Sequence, residues 1–127
     1  MKTHEQKMAE AAFGCVNGRK NTEIFDDYCR FSSSFPALIH SCGLAQALSF
    51  AEAKNKSYIE SYIDDLQTVL DSVEKAGNIA ELSRSEGIED YIRISRRVIS
   101  AASWIKRYAQ ALEPKTKKGI ENNVLLQ

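Results

Sequence analysis

The sequence predicts an all-α fold, a compact single-domain bundle of about five helices. Three observations predict it. Apolar residues recur three and four apart, most clearly at Ile59, Tyr62, Ile63, Leu66, Val69, Leu70 and Val73. Helix-start spacings recur too, Thr3 with Gln6, Ser57 with Glu60 and Asn78 with Glu81. Glycine (6) and proline (2) are scarce, which leaves little turn chemistry for a sheet of short strands.

Bulk composition narrows the function classes. The 127 residues are the size of one domain, and 43% are hydrophobic, enough for a core without disulfide or metal staples. Lys and Arg (17) balance Asp and Glu (17), so net charge selects no partner and only a local asymmetry can. Cys15, Cys29 and Cys42 are odd in number, widely spaced and without a metal-ligand pattern, as expected of reduced thiols in a cytoplasmic protein. No apolar run follows Met1–Glu5 and none approaches a membrane span, so no signal peptide and no membrane partner are expected.

The first helix starts at Thr3, places Met8, Ala12, Cys15 and Val16 on one face, and meets a stop signal at Asn17-Gly18. Thr22 is the expected cap of a second helix with Ile24, Phe25, Tyr28 and Phe31 inward, ending in Ser32-Ser33-Ser34. The third, Phe35–Phe50, has Pro36 in its first turn and apolar residues all round, the mark of a buried axis. Gly43 inside it predicts close approach of another helix. Ser57 opens the fourth, whose expected outer face is acidic, with Glu60, Asp64, Asp65, Asp71 and Glu74, and Gly77 is its expected C-cap. A short capped turn follows at Ile79–Ser83, then a long helix from Ile88 to about Glu113, before Pro114. The bundle is thus expected over 1–113 and a flexible C-terminal tail over 114–127.

Catalytic patterns are missing. The chain has no P-loop, no GxGxxG, no HExxH and no nucleophile elbow, and its two histidines, His4 and His40, have no partner fixed by spacing. No enzyme, cofactor or metal site is expected. The last helix differs. From Tyr91 to Leu112 it has five basic residues and no acid. Tyr91, Ile94, Val98, Ala101, Ile105 and Leu112 share the expected core arc. Arg93, Arg96, Arg97, Ser100, Ser103, Trp104 and Arg107 share the opposite one. Arginines on such a face neutralise phosphates, short serines admit a nucleic-acid backbone, and Trp104 stacks a base or packs on a protein. Arg93, Arg96, Arg97, Ser100, Trp104 and Arg107 are therefore the candidate RNA-binding residues. Asp64, Asp65 and Asp71 are the candidate protein-docking residues, against a plainer reading in which both faces are only solvated.

Two stretches carry a resemblance. Leu38-Ile39 through Gly43-Leu44-Ala45-Gln46-Ala47-Leu48-Ser49-Phe50, and Tyr91-Ile92-Arg93 through Trp104-Ile105-Lys106-Arg107-Tyr108-Ala109-Gln110-Ala111-Leu112, resemble the central and closing helices of one family. It is the small all-helical subunit, the fifth, of the type III-B CRISPR effector or Cmr complex. Cys42 stands where that family usually has asparagine, and Ala45 where a second small residue, often glycine, is common. The resemblance implies a non-catalytic subunit that forms a short inner filament with other copies of itself. It implies contact with the backbone and large subunits, and with guide RNA and target RNA, whose duplex it helps hold in antiviral defence. A filament of this kind needs two unlike protein surfaces. The alternative from another class is a free-standing helical adaptor or regulator that binds an acidic protein.

Overall fold

Helix α1 (His4–Arg19) begins at Thr3 in the computed structural model, which describes residues 1–85 and 87–114. The Thr3 hydroxyl accepts from the Gln6 N–H, and the Gln6 side chain accepts from the Thr3 N–H, so two orphan donors are satisfied reciprocally.

The next stretch departs from expectation. Helix α2 (Phe25–Cys42) runs straight through the serine run, and α3 (Leu44–Lys54) follows. Thr22 does not cap; its hydroxyl donates to the Arg19 carbonyl, and α2 starts without a side-chain cap. Ser32 and Ser34 turn their hydroxyls back onto the Cys29 and Phe31 carbonyls, which accommodates them inside a helix. Pro36 is buried mid-helix. Aromatic packing explains the continuity. Phe31 and Phe35, one turn apart, lie 5.1 Å from each other, and both pack on Tyr62 at 5.1 and 5.4 Å. One unbroken helix is needed to present both rings to Tyr62. That burial outweighs a proline penalty of about 3 kcal/mol.

The break expected near residue 34 falls instead at Gly43. Its φ of +86° lies where glycine is favoured, so Phe35–Phe50 is not one helix but two. The expected close approach is there: a Cβ on Gly43 would lie 3.1 Å from the Tyr91 hydroxyl. That hydroxyl accepts from the Ala45 N–H at 3.2 Å, satisfying the start of α3 from another helix.

Asn55, left-handed with φ of 50°, closes α3, and α4 (Ser57–Asp71) begins at Lys56 rather than in a Ser57–Glu60 box. Gly77 is not its C-cap but lies in the loop beyond, at φ +123°. Gln67 ties that loop down: its amide donates to the Gly77 carbonyl, and its oxygen accepts from the Ile79 N–H, both at 2.9 Å. Helix α5 (Ile79–Ser85) is capped by Asn78, which accepts from the Glu81 N–H. Helix α6 (Ile88–Leu112) has the expected bounds.

The described residues thus form six helices and no strand. Helix α6 packs on α1 and α2, and on α4 and α5 beyond them. Ala12, Ala101, Ala102 and Ala109 are fully covered at these contacts, their short side chains allowing close approach. Tyr28, Phe35 and Tyr62 fill the centre. No helix among the described residues is long and apolar enough to cross a membrane. The expected tail lies outside the described residues, apart from Pro114.

Candidate nucleic-acid interface

Helix α6 buries Ile94, Val98, Ala101, Ala102, Ile105 and Ala109, with Tyr91 and Leu112 half-buried at its margins. The expected core arc is therefore the inner face, and the basic residues lie around the rest. Their surroundings divide them. Arg93 donates through Nη1 to both oxygens of Glu74, at 2.6 and 2.8 Å. Arg97 lies 3.9 Å from the same carboxylate and 3.4 Å from Nδ1 of His4. Trp104 is half-buried against α1, donating from Nε1 to Glu5 at 2.6 Å. The Arg107 guanidinium lies over its ring at 4.6 Å, and Tyr108 stacks beside it. Arg96 and Arg107 are exposed and make no ion pair among the described residues. Ser100 is half-buried and lines a depression of about 340 Å³ with Glu89, Ile92, Arg93, Arg96 and Arg97.

The acidic candidates also divide. Asp64 is exposed, whereas Asp65 is 5% exposed and does not belong to an outer face. The Arg19 guanidinium grips Asp65 in two-pronged fashion at 3.1 and 2.9 Å, and the Tyr28 hydroxyl donates to it at 2.7 Å. Adjacent residues on a helix point about 100° apart, so one aspartate meets solvent and the other meets α1 and α2. Asp71 is half-buried and accepts from Gln67 at 3.0 Å. Asp64 instead rims a hollow of about 330 Å³ with Glu52 and Glu60, over Ala51, Ile59 and Ile63. The contribution of Glu52, from α3, had no signal in the sequence, because periodicity does not say which helices become neighbours.

Burial governs protonation around Asp65. Burial first, then the Asp65 charge, raises the Cys15 thiol to about 11. The same two causes push the Tyr28 and Tyr62 hydroxyls upward, and the hydrogen bond to Asp65 raises Arg19. Cys15 is therefore a neutral thiol, ill suited to nucleophilic attack. His40 is exposed on a hollow lined also by Gly43, Tyr91, Ser95 and Arg96. Cys42 turns its thiol to the Leu38 carbonyl. Among the described residues no three metal-ligating side chains gather.

Residues 4–112 match the family model for the CRISPR-associated protein Cas_Cmr5. The chain belongs to the Cmr5 family. It is 33% identical over 112 residues to the CRISPR system Cmr subunit Cmr5 of Thermus thermophilus, covering 88% of this chain and 97% of that protein. The X-ray crystal structure of a CRISPR-associated Cmr5 family protein from the same organism superposes with a TM-score of 0.82 at 32% identity. The match covers 90% of this chain and 100% of that one. The chain is thus a Cmr5-type subunit of a CRISPR Cmr complex. The two stretches that carry the Cmr5 resemblance touch each other: Tyr91, which opens the second, lies on Gly43 and Ala45 in the first. Part of the signature therefore marks a helix–helix contact, while Arg93 and Arg107 of the second stretch lie on the outward side of α6.

Proposed function

We propose that this Cmr5-family chain is a non-catalytic cytoplasmic subunit that forms the inner filament of a type III-B effector and steadies the guide RNA–target RNA duplex, in antiviral defence. The observation that carries the reading is the pair of arginines on α6, Arg96 and Arg107, exposed and without an ion pair among the described residues, in a helix whose opposite face is packed into the core. Arg93, Arg97, Ser100 and Trp104 complete the face. A subunit of this kind reads duplex shape and phosphate charge and leaves sequence choice to base pairing. The acid-rimmed hollow of Asp64, Glu52 and Glu60 supports the second requirement, a protein surface unlike the α6 face. Heterologous contacts, in which such a protein surface meets an unlike one on the next copy, build an open filament with the backbone subunits beside it.

The test is the Arg96→Ala/Arg107→Ala double variant in a reconstituted effector complex. Target-RNA retention is expected to fall and its dependence on salt to flatten, by a slope of about 0.7–0.9 for each phosphate no longer neutralised. Unchanged retention with an unchanged salt slope assigns the face to protein docking instead. Asp64→Lys with Glu60→Lys tests the other surface, with loss of subunit assembly as the expected result.

A further inference from the structure

We infer that Arg93 and Arg97 form a site for one backbone phosphodiester, and that Glu74 occupies it in the chain without RNA. The inference rests on the RNA-facing role of α6 and names the atoms where that role is controlled. Arg93 and Arg97 are one turn apart, so their guanidiniums project side by side. Both address one carboxylate: Arg93 Nη1 spans its two oxygens at 2.6 and 2.8 Å, and Arg97 Nε lies 3.9 Å from Oε2. A phosphodiester offers the same pair of anionic oxygens, and two guanidiniums converging on an oxyanion are its usual grip. The fork opens onto the depression that holds Arg96 and Ser100. An arriving backbone therefore meets a third guanidinium and a hydroxyl next to the occupied place, with Glu89 on the same rim and Asp90 3.9 Å from Arg93 Nε.

Glu74 is placed to leave. It comes from the α4–α5 loop, not from α6, and its backbone is held independently. Its N–H donates to the Leu70 carbonyl, and Gln67 pins the far end of the same loop. Rotation of one side chain, a quarter exposed, vacates the fork without unfolding the loop. The exchange swaps one anion for another, so the arginines stay neutralised throughout. An isolated chain then binds RNA weakly, because each phosphate must displace a tethered competitor. RNA presented along a row of subunits displaces many together.

The experiment uses the full chain, alone and in the reconstituted complex, with a fluorescent single-stranded polyuridine oligonucleotide and an RNA duplex as probes. Glu74→Gln keeps the shape and removes the charge; Glu74→Ala removes both. Each is expected to bind RNA roughly three- to tenfold more tightly and to steepen the salt slope by about 0.7–0.9, one additional phosphate. Adding Arg93→Ala and Arg97→Ala should abolish the gain. A purely structural Glu74 gives the opposite sign, a lower melting temperature together with weaker RNA binding, and that result overturns the inference. Weakening by Arg96→Ala/Arg107→Ala with no tightening by either Glu74 variant also overturns it, while leaving the RNA-facing role intact. If the arginine variant changes nothing and the Glu74 variants change nothing, both readings fall. Tighter association with protein subunits in the absence of RNA, and none with the probes, assigns the fork to an acidic protein.

Discussion

Replacing Asp65 with alanine separates a core role from a docking role, because the two predict opposite readouts. Asp65 accepts from Tyr28 at 2.7 Å inside the bundle and from two nitrogens of Arg19. The Tyr28 bond goes to a charged acceptor and is worth about 1.5–3 kcal/mol, and without it a buried hydroxyl is left without a partner. The Arg19 side chain is 30% exposed, so water replaces much of what it loses and the pair adds about 1 kcal/mol. Together Asp65→Ala should cost about 3–4 kcal/mol, which for a domain of this size lowers the melting temperature by about 10–20 °C. Tyr28→Phe alone should cost about 1–2 kcal/mol, and the double variant should fall short of the sum by about 1 kcal/mol or more, since both lose the same bond. Thermal melting followed by circular dichroism gives the first number, and urea titration with an unchanged slope confirms that the native state is what changed. A melting temperature within about 2 °C of the parent, joined to failure of subunit assembly, would refute the core assignment and return Asp65 to a surface.

Three further expectations follow from the same geometry. Gly43→Ala should lose about 2–3 kcal/mol in a urea titration, because it places a side chain at φ +86° and sets a Cβ 3.1 Å from the Tyr91 hydroxyl. A loss under about 0.5 kcal/mol would mean that this junction relaxes freely. Thr3→Ala should cost about 1 kcal/mol and increase hydrogen exchange at the N–H groups of the first turn of α1, since the reciprocal pair with Gln6 is removed. For Cys15 the folded state holds the thiol proton more tightly than the unfolded chain does, with the thiol raised to about 11. Its stabilising contribution is therefore complete below the ordinary thiol value of 9.0 and is lost as pH rises to about 11. Cys15→Ala should flatten that part of the stability–pH profile, and alkylation of folded Cys15 near neutral pH should run about a hundredfold below that of an unperturbed thiol.

The legible parts of the fold are those fixed by local periodicity. Helix α6 keeps its expected bounds because its apolar period, its acidic first turn and Pro114 agree. Helix α4 is amphipathic and Thr3 caps α1, both as their spacing predicts. The stretch that differs, residues 22–50, is one where local and tertiary preferences conflict. Three serines and a proline argue for a boundary, and nothing local says that Phe31 and Phe35 must both reach Tyr62 from elsewhere in the chain. Gly43 carried a usable signal, but a glycine that admits a close neighbour and a glycine that turns the chain look alike in a sequence. Here it does both.

The site was half legible for a related reason. Periodicity orders charges around a helix, and that order places Arg93, Arg96, Arg97 and Arg107 away from the core. It carries no information about which carboxylate from another element meets them. Arg93 and Arg97 meet Glu74, which periodicity assigns to the acidic face of α4 but which sits in the loop that follows it. The two aspartates at 64 and 65 make the same point with the sign reversed: adjacent, identical in type, one at the rim of a hollow and the other inside the bundle. The even balance of 17 basic and 17 acidic residues therefore describes no real surface. Pairing within the fold sets Asp65 against Arg19 and Glu74 against Arg93, so those charges offset one another locally. Arg96 and Arg107, exposed on α6 and without an ion pair among the described residues, lie on a different element from the hollow of Asp64, Glu52 and Glu60 across α3 and α4, where Arg84 comes within 4.0 Å of Glu52. For the proposed function this matters, because a chain of balanced charge with its basic residues gathered on one helix avoids the strong nonspecific attraction of a uniformly basic domain, and its RNA contacts then depend on how neighbouring subunits array that helix.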